Sequence, residues 1–119
     1  MNTEFSGIGA SPGTGKGLAH WIRSAEDVEA FAVGEVLLAA MTSPDWGEVF
    51  QKAAGVVTEQ GGMLCHAAIV AREEGIPAVV GVGEDLQNIA NGAFVVVNGD
   101  DGIVSVNNQS KESRKGEKE

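Results

Sequence analysis

Glycine recurs at short intervals along this chain and limits the length of any regular element. The 119 residues contain 17 glycines, which stand at the boundaries of apolar segments rather than in one low-complexity tract. Glycine adopts backbone angles that other residues avoid, so it suits tight connections between short elements. The chain has the length of one domain. We therefore predict one compact domain built of short strands and short helices.

Strand and helix signals alternate only in the middle of the chain, and strand signals cluster at both ends. Strands are predicted over 5–10, 18–22, 35–41, 55–58, 78–82, 94–97 and 103–106, with a turn-rich loop over 11–17. Helices are predicted over 43–53 and 65–74, with a brief helical turn or loop over 24–33 and a short helix or turn over 84–89. This order predicts an α/β domain, residues 1–106, with a mixed sheet and short flanking helices. Residues 107–119 lack apolar side chains and are predicted to form a disordered polar tail.

The charge and cysteine content exclude some classes of function. Through residue 106 there are 14 acidic and 4 basic residues, a net charge of −10, so nucleic-acid binding is not expected. The single cysteine, Cys65, cannot form an internal disulfide, which favours a reducing cytoplasm. The sequence has no apolar run of membrane-spanning length and no signal-peptide pattern at its start, so we expect no membrane association.

The Gly15-Lys16 pair resembles the end of a phosphate-binding P-loop. That motif needs a glycine where Ala10 stands and a serine or threonine where Gly17 stands. The segment is therefore interpreted as a turn between strands, and nucleotide binding by it is rejected.

His66 has the most distinctive chemical setting in the sequence. Gly61 and Gly62 precede it and allow the backbone to turn sharply and approach a ligand. The helix predicted to begin beside His66 offers free N–H groups that favour an anion. The same field opposes the imidazolium form and so favours the neutral, nucleophilic ring. The hydroxyl of Thr58, at the end of the preceding strand, is a candidate donor to a phosphate.

Residue pattern alone leaves two interpretations of His66 open. One is a phosphoryl acceptor, and the other is an ordinary histidine at a helix end, hydrogen-bonded to backbone. Arg72 is a candidate phosphate ligand, but it lies more than one helical turn from His66, so a structural salt bridge is the stronger interpretation. Cys65 is a candidate supporting residue or a small packing residue. A hydrolase using Cys65 and His66 as a dyad is disfavoured because adjacent helical residues face each other poorly.

No metal site is predicted, because the two histidines and the cysteine stand in unrelated places. His20 lies on a predicted strand without other polar groups and is interpreted as structural or exposed.

The stretch from Thr58 to Gly81 resembles the phosphohistidine, or swivelling, domain of phosphoenolpyruvate-utilising enzymes. That family includes phosphoenolpyruvate synthase, pyruvate phosphate dikinase, enzyme I of the sugar phosphotransferase system and rifampicin phosphotransferase. The matching positions are Thr58, Gly61, Gly62, His66, Ala68, Ala71, Arg72, Glu73, Gly75, Pro77 and Gly81. Further matches are the segments 9–13 and 43–46, so the likeness covers most of residues 7 to 106.

The resemblance implies that His66 is phosphorylated and that the fold is the swivelling β/β/α arrangement. It also implies partners: an ATP-grasp nucleotide-binding domain, a phosphoenolpyruvate- or pyruvate-binding barrel, or both. Magnesium and ATP or phosphoenolpyruvate would bind to those partners rather than to this chain. The chain alone would carry a phosphoryl group without having its own donor site.

The chain departs from some relatives at one position, and an alternative function of the same fold stays open. Some relatives have a serine or threonine two residues before the histidine, where this chain has Leu64. The alternative function is a non-catalytic binding or regulatory module of the same fold, in which His66 is a relic.

Overall fold

Eight strands and three α-helices organise residues 2–107, the part of the chain that this computed structural model describes. The strands are β1 (Asn2–Ser6), β2 (Ile8–Ser11), β3 (Thr14–Trp21), β4 (Val36–Ala39), β5 (Gly55–Thr58), β6 (Ala78–Val80), β7 (Phe94–Asn98) and β8 (Ile103–Asn107). The helices are α1 (Ala25–Ala30), α2 (Gly47–Lys52) and α3 (His66–Glu74), with two short 3₁₀ helices, Pro44–Trp46 and Glu84–Asn88. Within residues 2–107, no helix is long and apolar enough to cross a membrane.

The strands form one continuous mixed sheet in the order β1-β8-β7-β3-β4-β5-β6-β2. The pairs β3–β4, β4–β5 and β5–β6 are parallel, whereas the pairs β1–β8, β8–β7, β7–β3 and β6–β2 are antiparallel. Strands β1 and β2 lie at opposite ends of this order although Gly7 alone separates them in the chain. The sheet therefore curls round until its two ends are joined by a single residue.

This curl creates two apolar layers. Alternate residues of β4 point to opposite faces, so that Val36 and Leu38 belong to one cluster and Leu37 and Ala39 to the other. The first cluster packs against β7 and β8, and the second packs under helices α2 and α3. The result is a β/β/α arrangement, which confirms the predicted fold class of a mixed sheet with short flanking helices.

The N-terminal segment departs from prediction in two places. The strand predicted over 5–10 is two strands, β1 and β2, which break at Gly7 and pair with different partners. The loop predicted over 11–17 is wrong beyond Gly13, because β3 begins at Thr14. A Cβ at Gly15 would overlap the carbonyl oxygen of Ala54, so this glycine permits a close backbone approach rather than a turn.

The remaining elements follow prediction, and most of them have ends shifted by a few residues. The helix predicted over 43–53 begins as a 3₁₀ turn capped by the Ser43 hydroxyl, which accepts from the Asp45 N–H at 3.3 Å. Val49 and Phe50 are buried as expected, whereas Trp46 is half-buried. Strand β8 continues to Asn107, one residue beyond the predicted domain end. The disordered tail predicted for 107–119 otherwise lies outside the described residues.

Candidate active site

A pocket lies where the carboxyl ends of two parallel strands meet the start of α3. The segment after β4 and the loop after β5 form its walls, because neighbouring parallel strands end at the same edge of the sheet. The pocket has a volume of about 230 Å³. Its lining residues are Met41, Thr42, Thr58, Gln60, Gly61, Cys65, His66 and Ala67. The structure therefore brings His66, Thr58, Gly61 and Cys65 into one site.

The His66 ring is held by two contacts. The Thr42 hydroxyl and His66 Nδ1 are 2.7 Å apart, a hydrogen bond in which either atom can donate. The ring of Phe50 meets the imidazole edge to face, with 5.8 Å between centroids. Because Nδ1 is engaged by Thr42, Nε2 is the ring nitrogen that remains available to a ligand among the contacts of residues 2–107. The ring is half-buried and lines the pocket.

Thr42 was not identified from the sequence, although it contacts His66 directly. It precedes the Ser43-Pro44 helix start and follows β4, and that position was the available signal. Residues just beyond the carboxyl end of a parallel strand are the usual place for a site.

His66 is the first residue of α3, and the helix start has no side-chain cap. Cys65 occupies the capping position and its side chain makes no capping hydrogen bond. The first N–H used within the turn is that of Ile69, which donates to the Cys65 carbonyl at 3.0 Å. The N–H groups of the first helical residues are therefore orphan donors of the kind that bind anions.

Gly61 and Gly62 differ in what they contribute. Gly61 has φ +118°, and a Cβ there would lie 2.7 Å from Cys65 Sγ. The φ of Gly62 lies outside the left-handed region, and a Cβ there would meet nothing within 4 Å. Gly61 thus shapes the loop, whereas Gly62 leaves open space beside it.

A Gly61→Ala substitution should lower the free energy of unfolding by about 2–4 kcal/mol, from a strained backbone angle and steric overlap with Cys65. The matched Gly62→Ala variant should stay within about 0.5 kcal/mol of the original chain. Urea unfolding measures both. Equal losses in the two variants would contradict the assignment of the turn to Gly61 alone.

Thr58 is fully buried, and its hydroxyl closes the loop. The hydroxyl donates to the Gln60 carbonyl at 2.6 Å, two residues along the chain. Its proton is therefore engaged within the loop, and Thr58 is among the residues that line the pocket. Donation from Thr58 to a phosphate stays a prediction, and it requires the hydroxyl to rotate away from Gln60.

Arg72 lies outside the pocket lining and binds backbone. Its guanidinium donates to the Met63 carbonyl at 2.8 Å and to the Ala10 carbonyl at 2.9 Å. The structural interpretation is thus favoured, but the partners are carbonyl groups rather than a carboxylate. The planar guanidinium of Arg72 therefore links α3 both to the loop before His66 and to β2.

An Arg72→Ala substitution should lower the free energy of unfolding by about 1–2 kcal/mol, because two charge-assisted hydrogen bonds are lost at a partly exposed site. Arg72→Lys should recover little of this, since one ammonium group cannot span both carbonyls. Thermal and urea unfolding measure the effect. The exposed neighbour Glu73 provides the control. If Glu73→Ala lowers the free energy of unfolding as much as Arg72→Ala does, the two hydrogen bonds of Arg72 are not the cause of the loss.

Cys65 and His20 have surroundings that do not suggest a catalytic role for either side chain. Cys65 is half-buried beside Gly61, and the His66 Nδ1 bonds Thr42 rather than the thiol, which gives the disfavoured dyad no support. His20 lies away from the pocket lining, with its Nδ1 2.7 Å from a Glu35 carboxylate oxygen. The described part of the chain holds no group of three His, Cys, Asp or Glu side chains placed for a metal ion.

Comparison with known proteins gives a consistent family. Residues 31–102, more than half of the chain, match the family described as "PEP-utilising enzyme, mobile domain". The chain is 50 % identical over 100 residues to a probable phosphoenolpyruvate synthase of Staphylothermus marinus, covering 82 % of this chain and 12 % of that protein. It is 45 % identical over 100 residues to a phosphoenolpyruvate synthase of Synechocystis sp., again covering 82 % of this chain and 12 % of that protein.

Solved structures agree with the fold. An NMR solution structure of Enzyme I superposes with a TM-score of 0.59 at 32 % identity, covering 74 % of this chain and 36 % of that chain. Aconitase X of Thermococcus kodakaraensis superposes with a TM-score of 0.66 at 20 % identity, covering 88 % of this chain and 98 % of that chain. The latter likeness concerns the fold alone.

The site and the comparisons lead to the same family. The glycine turn, the histidine at an uncapped helix start and the surrounding motif are those from which the resemblance was inferred, and the matched region contains all of them. The resemblance is thereby confirmed, and a role as phosphoryl carrier fits it. This chain belongs to the family of mobile domains of phosphoenolpyruvate-utilising enzymes.

Proposed function

We propose that His66 accepts a phosphoryl group on Nε2 from a donor bound to a partner and passes it to an acceptor. The observation that carries this proposal is the setting of the ring. Thr42 engages Nδ1, and the histidine itself begins a helix whose first N–H groups have no side-chain cap. A neutral imidazole with Nδ1–H donating to Thr42 has its lone pair on Nε2, which is the nucleophilic form.

The transfer balances as a displacement at phosphorus. The Nε2 lone pair forms the N–P bond while the bond from phosphorus to the donor oxygen breaks, and that oxygen keeps the electron pair. Retaining the Nδ1 proton leaves a ring that departs readily in the second transfer, when an acceptor attacks phosphorus and the electron pair returns to Nε2. The Thr42 hydroxyl can accept from Nδ1–H or donate to bare Nδ1, so it supports the ring in either state. The orphan helix N–H groups stabilise the phosphoryl oxygens.

We further propose that donor and acceptor sites belong to other domains or subunits. The chain spans 12 % of the length of the synthases it matches. An ATP-grasp domain or a phosphoenolpyruvate-binding barrel, with ATP or phosphoenolpyruvate and magnesium, would supply the group in the cytoplasm. A purely non-catalytic module is not favoured, because Thr42 holds the His66 ring and the start of α3 has no side-chain cap, an arrangement that suits an anion beside the ring.

Labelling with 32P-phosphoenolpyruvate tests this function. The chain is incubated with the label and full-length phosphoenolpyruvate synthase of Synechocystis sp., then isolated and exposed to acid and to base. We expect phosphate that is lost in acid and retained in base, as a phosphoramidate bond requires. In parallel, potassium phosphoramidate offers the phosphoryl group chemically, with ammonia leaving. A chain that takes up no phosphate from either source refutes the proposed function.

A further inference from the structure

Strand β1 lies at one end of the sheet, and half of its backbone groups point away from its partner strand. It pairs antiparallel with β8, and Gly7, directly after the strand, donates its N–H to the Gly102 carbonyl at 2.9 Å. In an antiparallel pair, successive residues point their N–H and C=O groups alternately toward the partner and away from it. Since Gly7 faces β8, Ser6 and Glu4 face away. In the described part of the chain, no hydrogen bond engages the backbone groups of these two residues.

A groove of about 530 Å³ borders this outer edge of β1. One of its walls consists of the consecutive residues 3–6. Alternate residues of a strand point to opposite faces, so a groove that four consecutive residues line lies along the edge of the strand. Val82, Asp85 and Asn88, before and within the second 3₁₀ helix, form the other wall. The volume is within the range of about 300–1,000 Å³ that is usual for ligand pockets.

Both walls of the groove are anchored in the same core. Val82 donates its N–H to the Thr58 carbonyl at 3.1 Å, and Leu86 of the 3₁₀ helix is fully buried in the cluster that packs against β7 and β8. Phe5 of β1 packs against that cluster as well. The groove is thus formed before a partner binds, which lowers the entropic cost of binding. It shares no lining residue with the His66 pocket.

The two ionisable side chains that line the groove are both acidic. Glu4 and Asp85 are exposed, and they lie on opposite walls. A charge on an edge strand discourages pairing with a second copy of the same strand, because like charges would meet. The same charge favours a segment that carries lysine or arginine. The net charge of −10 through residue 106 attracts such a segment over a longer range.

We propose that the groove binds an extended, basic segment of another protein as an additional strand beside β1. The outward N–H and C=O groups of Glu4 and Ser6 pair with the backbone of that segment, as in other proteins in which a peptide adds to the edge of a sheet. Basic side chains at alternate positions of the segment reach Glu4 and Asp85. The surface is separate from the His66 pocket, so this inference does not depend on the proposed phosphoryl transfer.

The peptide acetyl-Lys-Thr-Lys-Val-Lys-Thr-amide is the probe for this groove. It is titrated into the full 15N-labelled chain, and NMR measures Kd and the exchange of backbone amide protons with solvent. We expect the amide protons of Glu4 and Ser6 to exchange more slowly in the complex, because they then donate to the added strand. A peptide with glutamate in place of each lysine should bind about tenfold more weakly or worse. Added salt should weaken the binding of the lysine peptide.

Ser6→Pro tests the strand pairing, with Ser6→Ala as its matched control. Proline is tolerated on an edge strand where its missing N–H does not belong to the ladder, so the pairing of β1 with β8 should persist. We expect Ser6→Pro to raise Kd about tenfold or more, because an outward donor is lost and the ring obstructs the added strand. Ser6→Ala keeps the N–H and should leave Kd within about twofold of the original value.

Glu4→Lys tests the charge of the groove and does not depend on how β1 tolerates proline. It should raise Kd about fivefold or more, because a like charge then meets the lysine side chains. Glu29→Lys makes the same change in net charge at an exposed position of α1, away from the groove lining, and should change Kd less than about twofold. Urea unfolding checks that each variant is folded.

Several results would overturn this inference. Peptide binding without slower exchange at Glu4 and Ser6 would mean attraction between charges without strand pairing. Slow exchange of these two amides in the monomeric chain before peptide is added would mean that another segment of this chain already covers the edge. A dimer in sedimentation that the peptide dissociates would assign the edge to a second copy. Absence of binding would refute the groove as a peptide site, while phosphoramidate uptake by His66 tests the proposed function separately.

Discussion

A His66→Gln variant should take up no acid-labile phosphate, whether the source is phosphoramidate or a synthase with labelled phosphoenolpyruvate. Glutamine keeps a polar side chain of similar length and can still bond the Thr42 hydroxyl, but it has no nucleophilic nitrogen. The expected result is a complete loss of label with little change in the free energy of unfolding. Mass spectrometry of the intact chain and urea unfolding check the two parts.

The second histidine of the chain provides the control for this experiment. His20 is paired with Glu35 and lies outside the pocket, so a His20→Gln variant should retain the full uptake of the original chain. If His66→Gln takes up as much label as the original chain, or if His20→Gln loses the label, the phosphorylated histidine has been wrongly assigned.

A Thr42→Val variant should slow phosphoryl uptake by about 10- to 100-fold, the range typical of removing the hydrogen-bond partner that orients a metal-bound imidazole. Valine matches threonine in shape but cannot bond Nδ1, so the ring loses its fixed orientation and its preference for the Nε2 lone pair. The rate of phosphoramidate uptake, followed by 31P NMR, measures the effect without any partner protein.

The conservative variant decides whether Thr42 acts through its hydroxyl. Thr42→Ser keeps the hydroxyl and should restore most of the rate, whereas a purely steric role for the threonine methyl group would leave Thr42→Ser as slow as an alanine variant. Thr42 is a positioning residue in this scheme, since it touches the ring rather than the phosphoryl group. A Thr42→Val rate equal to that of the original chain would remove the hydrogen bond from the mechanism.

The central part of the fold could be predicted because its signals are local. Strand β5 has its predicted bounds, and α3 begins one residue after its predicted start and stops at Gly75, which adopts φ +74° as a helix-ending glycine does. The split at Gly7 could not be predicted, because the choice of pairing partner for β1 and β2 depends on strands almost the length of the domain away. The role of Gly15 likewise depends on a distant carbonyl, that of Ala54.

The site shows the same division between local and distant information. His66 at a helix start after a glycine turn is a contiguous pattern, so its place could be predicted. The bond from Thr42 spans 24 residues and depends on two strands ending side by side. Arg72 was expected to find a carboxylate, but the carbonyls of Met63 and Ala10 lie within reach of its guanidinium. Every residue has a backbone carbonyl group, so the identity of a residue does not predict that its carbonyl will accept such a hydrogen bond.

The curled sheet also decides how such a domain can be attached within a larger protein. Asn2 and Asn107 are paired across β1 and β8, so the two ends of the described segment lie side by side. Strands β7 and β3 lie between those ends and β4, which leads to Thr42 and the His66 pocket. Connections made beyond Asn2 and Asn107 would start side by side and would act as one hinge for the domain.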